Sequence, residues 1–449
     1  MHVIRSLILG GILAMSALVP ALVPVPAAAA AKVERVVSPG GIEAWLVNEP
    51  SLPIVAMRFS FHGGSSHDPE DRIGLSNMVS GLLDEGAGDM DSLAFQTRLD
   101  DLAVEMGFDA GRDEFSGHLK TLRENLKPAF AMLASALTEP RFDREPVERI
   151  RGQILSMLAR NEKDPNRIAR QTWAEAMYPD HPYGWPTDGT PEGIAAVTPD
   201  DLHRYMRERI ARSNLTIGVA GDITAQELAP LLDATFGSLS ETAVLDTVPD
   251  VEPKAAGQVV IEHIAIPQSV VAFGQEGMKR ADPDYYAAYI VNEILGGGGF
   301  GSRLTEEVRE KRGLAYGIYT YLLPLDHSAL MAGGVGTQNA RVAETIQIIR
   351  DELERMREDG PTEKELDDAK TYLTGSFPLR FDSNGELASY LVGMQLEDLG
   401  IDYLDKRNSY IEAVTLDDAK RVAKALIDPA NLAFVVVGDP EELAETETH

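Results

Sequence analysis

Gly74-Leu75-Ser76-Asn77-Met78-Val79-Ser80-Gly81-Leu82-Leu83-Asp84-Glu85-Gly86 carries apolar side chains near helical spacing, at Leu75, Met78, Val79, Leu82 and Leu83, with Ile73 just ahead of them. It reads as a buried helix stopped by Gly86 and Gly88. Upstream, Ile54 to Phe61 alternates, with Val55, Met57, Phe59 and Phe61 on one face, and reads as a strand. Downstream, a helical pattern runs from Ser92 to Met106 and Phe108 to Leu119 reads as one strand. Asn125 to Thr138 and Glu145 to Asn161 are amphipathic helices. Pro199 to Ile210 is a third, and Leu215 to Ala220 a buried strand closed by Gly221-Asp222.

That last unit recurs. Asp200-Asp201-Leu202 leads to Asn214-Leu215 and Gly221-Asp222, and 217 residues on Asp417-Asp418-Ala419 leads to Asn431-Leu432 and Gly438-Asp439. Val79 to Gly88 resembles Val291 to Gly299 more loosely, and Ser92 to Leu119 parallels Ser302 to Leu323. The expected class is α+β, with two homologous domains at 32–239 and 254–449. Each pairs a mostly antiparallel sheet with helices on one face. Residues 240–253 form a polar linker with two prolines.

The strand, loop and Gly-Leu helix resemble the opening of the pitrilysin/insulinase family of zinc peptidases, M16. The resemblance covers essentially the chain beyond its leader. In active members the helix carries His-x-x-Glu-His, two zinc ligands around a general base. Here the aligned positions are Asn77, Ser80 and Gly81. A third ligand, a Glu, is implied about 75 residues further on. Met157 stands there, 76 residues past Gly81 and ahead of Asp164-Pro165. Neither a hydroxyl nor a thioether replaces an imidazole or a carboxylate on zinc. The resemblance therefore implies a peptidase scaffold without its metal chemistry, and no cofactor bound by this chain.

A second family feature is an Arg and a Tyr seven residues apart, which approach the zinc site from across the chamber and support the transition state. Val308-Arg309-Glu310-Lys311-Arg312-Gly313-Leu314-Ala315-Tyr316 supplies Arg309 and Tyr316. A guanidinium fork and a phenol can hydrogen-bond a peptide carbonyl and the oxyanion that forms from it. On spacing alone, a surface helix with a core Tyr is the better reading. Gly296-Gly297-Gly298-Gly299 lacks the Lys-Ser/Thr ending of a phosphate-binding loop and reads as a turn between helices. His62 and His67, five residues apart, allow a metal pair, and His181 in His-Pro-Tyr-Gly suits a loop hydrogen bond.

The chain has 449 residues, no Cys, 25% charged residues and a formal charge of −30. That charge argues against nucleic acid and is compatible with basic peptides, although solubility alone accounts for it. Arg5, the apolar run from Leu7 to Val25 and the small residues Ala27 to Ala31 read as a signal peptide at 1–31. Its three prolines, Pro20, Pro24 and Pro26, make it a poor membrane anchor. The expected product is exported, most simply to a periplasm, with a core that holds without disulfides.

Taken with the resemblance, these features imply the non-catalytic, substrate-binding subunit of a heterodimeric zinc endopeptidase. A His-x-x-Glu-His partner would hold the zinc, and this chain would lend Arg309 and Tyr316. Two other classes fit the same residues. One is a non-hydrolytic, chaperone-like homodimer that binds peptide. The other is a structural subunit of a larger assembly.

Overall fold

The computed structural model describes residues 32–254 and 257–444. The expected leader at 1–31 lies outside the described residues.

Among the described residues, eleven strands build two sheets. The first holds β1 (Val33–Val37), β2 (Glu43–Asn48), β3 (Ile54–His62), β4 (Glu105–Ala110), β5 (Glu114–Leu122) and β6 (Leu215–Gly221), in the order β1-β2-β6-β3-β5-β4. The second holds β7 (Val259–His263), β8 (Gln268–Glu276), β9 (Ala315–Pro324), β10 (Ala329–Gln338) and β11 (Ala433–Gly438), in the order β7-β11-β8-β10-β9. With β1 set aside the two orders are the same. Each sheet has one parallel pair, β2 with β6 and β7 with β11, and is otherwise antiparallel. The parallel pairs arise because the last strand of each half returns from the far end of its chain segment to lie beside β2 in the first sheet and β7 in the second.

The repeated acidic dipeptide has a local cause. Thr198 and Thr415 each cap a helix, and Asp201 and Asp418 close the reciprocal capping box three residues on. Two of the otherwise unpaired amide groups at each helix start are thereby satisfied. Asp164-Pro165 is also a helix start. Asp164 accepts from the Asn166 amide at 2.9 Å and Pro165 occupies the first turn of the helix Pro165–Met177.

Three boundaries differ from the sequence reading. The Gly-Leu helix is only Leu75–Ser80, because Gly81 ends it and the next residues form turns. The helix expected to reach Met106 stops at Asp101. Phe108 to Leu119 is not one strand but the hairpin β4–β5, turning at residues 111–113. Period-2 alternation continues through a tight hairpin, so the pattern alone hides the turn.

The larger correction concerns the second face of each sheet. Helices of the same half cover one face, as expected. The other face is covered by a helix from the opposite half. Asn384–Leu396 lies across β6, β3 and β2, where Leu387, Ala388, Leu391 and Met394 pack with Trp45, Val47 and Ala220. Reciprocally, Pro165–Met177 lies across β8 and β11, where Ala169, Trp173 and Met177 meet Leu330, Ala332, Ala433 and Val435. Both helices are seated over a glycine. A Cβ on Gly218 would lie 2.4 Å from the Ala388 carbonyl oxygen, and one on Gly274 would lie 2.6 Å from the Trp173 ring. The segment at 240–253 has no regular element but is tied to both halves. The Val244 amide donates to the Glu208 carbonyl at 2.7 Å and the Val251 amide to the His327 carbonyl at 2.9 Å.

Candidate functional site

The helix Leu75–Ser80 is held by Asp68, whose side chain is wholly buried. Its carboxylate accepts from the Gly74 and Ser76 amides, from the Ser76 hydroxyl at 2.6 Å and from Arg209 at 3.1 Å. Burial raises the Asp68 pKa, while Arg209 and the Ser76 hydrogen bonds work against that rise. Gly74 enters the helix at φ 102°, a conformation that favours glycine. The scaffold of the metal helix is thus well built.

Its functional groups are not those of a metal site. The Asn77 amide donates to the Asp188 carbonyl at 3.0 Å, and the Ser80 hydroxyl to the Asn77 carbonyl at 2.9 Å. Gly81 has no side chain, and a Cβ there would sit 3.2 Å from Ile150. Met157, on the neighbouring helix Arg144–Asn161, is half-buried against the first core. These residues do not fit zinc, which takes thiolate, imidazole or carboxylate ligands. Among the described residues no group of three or more His, Cys, Asp or Glu is placed to hold a metal ion.

His62 and His67 do not pair. The His62 ring faces Asp326 of the second half at 3.5 Å, and that contact raises its pKa. The His67 Nδ1 lies 3.2 Å from the Ser66 hydroxyl, and burial together with the Arg209 charge lowers its pKa to about 4. His181 makes the loop hydrogen bonds its motif suggests, to the Pro249 carbonyl at 3.0 Å and from the Tyr183 amide at 3.1 Å.

Arg309 and Tyr316 are brought together. Arg309 lies on a π-helical turn, Thr305–Glu310, and Tyr316 at the start of β9, an edge strand. Such wide turns recur at functional sites. The Arg309 guanidinium carbon sits 5.1 Å from the Tyr316 ring centroid and 4.4 Å from that of Phe300. The cation lies over both rings within cation–π distance, which favours its placement there. Its neighbours are differently engaged. Arg303 is ion-paired with Glu365 at 2.6 Å, and Lys311 and Arg312 both hold Glu307. Among the described residues the one ion-pair partner of Arg309 is the adjacent Glu310, at 3.5 Å. Tyr316 is 89% exposed and Phe300 74%. Among the described residues the Tyr316 hydroxyl has no hydrogen-bond partner. Phe300 escapes a reading of motifs, although an aromatic residue directly after four glycines is a signal for it.

No hydrogen bond, ion pair or ring contact among the described residues joins Arg309 and Tyr316 to the group at Asn77, Ser80 and Gly81.

The family described as insulinase, peptidase family M16, matches residues 44–190, and its companion described as the peptidase M16 inactive domain matches 196–373. The chain belongs to the M16 peptidase family. Among its relatives is an uncharacterized zinc protease of Streptomyces coelicolor, 28% identical over 88% of this chain and 87% of that one. Another is a non-peptidase homolog of Helicobacter pylori, 24% identical over 87% of this chain and 90% of that one. The crystal structure of a peptidase M16 inactive domain from Pseudomonas fluorescens superposes with a TM-score of 0.85 at 27% identity, over 93% of this chain and all of that one. The relatives' names thus fall on both sides, zinc protease and non-peptidase. The residues at 77, 80, 81 and 157 place this M16 chain with the inactive homologues.

Restoring part of the metal site is not expected to restore activity. The double variant Asn77→His/Gly81→His still lacks the general base at Ser80 and the third ligand at Met157. Purified alone, the parent and the double variant are both expected to hydrolyse no peptide. The parent is also expected to hold no stoichiometric zinc by elemental analysis. One tightly bound zinc per parent chain would refute this.

Proposed function

We propose that this chain is the non-catalytic, substrate-binding subunit of a heterodimeric M16 zinc endopeptidase, exported to the periplasm by the leader at 1–31. The partner is an M16 chain that carries His-x-x-Glu-His and with it the zinc and the general base. The observation that carries this reading is Arg309, lying over the rings of Phe300 and Tyr316 at an exposed sheet edge with the Tyr316 hydroxyl free. A core tyrosine of a structural helix would be buried. This one offers its hydroxyl outward, beside a guanidinium that lies over its ring.

The chemistry asked of the pair is limited. The guanidinium fork and the phenol donate hydrogen bonds to the carbonyl of the bound peptide, and those bonds strengthen as the carbonyl oxygen gains charge. Neither residue has to gain or lose a proton. Phe300 positions Arg309 and does not itself need to touch the reacting atoms.

Assembly tests the reading. Mixed with a His-x-x-Glu-His chain encoded beside it, the protein is expected to form a one-to-one complex that buries well over ~1,000 Å² and hydrolyses peptide. Light scattering would measure the mass, and a quenched fluorescent peptide the activity. A monomer at every concentration, with the partner present, would refute the heterodimer.

A further inference from the structure

Beside Tyr316 the second sheet opens into a cleft of about 170 Å³ that is separate from the Arg309 cluster. It lies on the face crossed by the helix Pro165–Met177, where that helix leaves β9 and β10 partly uncovered. Its floor is glycine. Neither Gly317 nor Gly336 has an atom within 4 Å of where a Cβ would stand, and the Tyr319 hydroxyl lies over Gly334, 2.9 Å from its absent Cβ. Its walls are Tyr319 and Tyr321, stacked at 6.2 Å, with Trp173 and Arg170 from the crossing helix.

The polar groups of this cleft are mainly donors. Arg170 is exposed and has no ion pair or hydrogen bond among the described residues. The hydroxyls of Tyr319 and Tyr321 likewise have no partner there, and the Trp173 Nε1 is buried without one. Burial and the neighbouring Tyr319 raise the Tyr321 pKa, and the Arg170 charge acts against them, so the guanidinium field reaches this phenol. No Asp or Glu lines the cleft, in a chain with a formal charge of −30. A guanidinium without an ion pair among the described residues, beside phenols in a cleft whose lining holds no carboxylate, is a complement for an anion with planar oxygens.

We propose that this cleft is a carboxylate subsite, in which Arg170, Tyr319 and Tyr321 take an acidic side chain or the C-terminal carboxylate of a peptide lying along β9 toward Tyr316. The assignment rests on the reading of the chain as peptide-binding, and it narrows the substrate class. Acidic groups are selected at this point even though the protein as a whole would attract basic ones. Gly317 and Gly336 leave room for the peptide, and the tyrosine rings flank it.

The test is calorimetric titration of the full chain, without a partner, so that it does not depend on catalysis. Three probes are used. The first is an acetylated, amidated hexapeptide with one Phe and one Glu, and the second is its Gln twin. The third is the Gln twin with a free C-terminal carboxylate, so the Gln twin is the neutral member of both pairs. In at least one of the two pairs the acid is expected to bind about tenfold more tightly, as a charge-assisted hydrogen bond predicts. The pair that responds identifies the source of the carboxylate. Arg170→Gln is expected to erase the preference and Arg170→Lys to retain part of it. Arg170 is exposed and Gly336 has open space, so Arg170→Gln and Gly336→Val are both expected to fold. Gly336→Val fills the floor and is expected to weaken all binding. Equal binding within both pairs, no binding of any probe, or a preference that survives Arg170→Gln overturns the proposal. A null effect of Tyr316 variants on turnover in an assembled pair would instead overturn the subunit assignment and leave this result standing.

Discussion

Replacing Tyr316 by Phe in the assembled heterodimer is expected to lower kcat roughly a hundredfold or more and to change KM little. The ring and its contact with Arg309 remain, and only an exposed hydroxyl is lost, so folding is not at stake. A donor aimed at a developing oxyanion is typically worth about 3 kcal/mol, and its loss falls on the transition state more than on the ground state. Arg309→Lys keeps the charge and the aromatic contacts with Phe300 and Tyr316, but a single ammonium cannot reproduce the planar fork. It is expected to fall in the same direction. Neither change is expected to release zinc from the complex, since the metal is expected in the partner. Steady-state kinetics on the reconstituted pair, with assembly checked by gel filtration, measures all three quantities. Rates near wild type for both variants would leave the two residues structural and remove the basis for a site completed in trans.

The second large effect is on stability. Gly218→Val is expected to cost about 3 kcal/mol or more, although it places a good strand former in the middle of β6. Strand propensity is worth at most about 1 kcal/mol in favour of Val. Against it stands the seat of the crossing helix. The new Cβ would meet the Ala388 carbonyl oxygen at 2.4 Å and the Leu391 Cβ at 2.8 Å, and neither is the flexible end of a side chain. The helix has to lift, and with it Leu387, Leu391 and Met394 lose contact with Trp45 and Val47. Each large apolar side chain so exposed forfeits roughly 1.5–3 kcal/mol. Gly393→Ala, on the same helix with open space around its Cα, is the control. It is expected to be neutral or slightly stabilising, because alanine favours helix over glycine. Urea unfolding of the two variants decides the matter. A Gly218→Val protein as stable as the parent would mean that the crossing helix does not depend on this seat.

The expected loss of metal chemistry follows from residue identity once the family resemblance has set which positions to compare. Whether a position can bind zinc or move a proton is a property of its side chain, and Asn77, Ser80, Gly81 and Met157 have the wrong ones in any fold. The two-part architecture is legible too, because a repeat needs no knowledge of contacts. Capping acts within one turn, so the repeated Asp201 and Asp418 mark their own helix starts, which Thr198 and Thr415 complete in the structure. The seven-residue spacing of Arg309 and Tyr316 also carries over, since a short turn into a strand fixes it locally.

What the sequence could not settle is which surface each apolar face meets. Ala169, Trp173 and Met177 recur every four residues and share one side of their helix, yet the sheet they cover belongs to the other half of the chain. Periodicity reports that a face is buried and says nothing of its partner. The same limit hid Phe300 and the Arg170 cleft. Phe300 matters only because the glycine turn folds it onto Arg309. The cleft exists only because a helix from the first half crosses glycines of the second. Net charge sums over the whole surface, whereas binding responds to the charges within a few ångströms. A chain at −30 can therefore hold a locally basic pocket that no composition discloses.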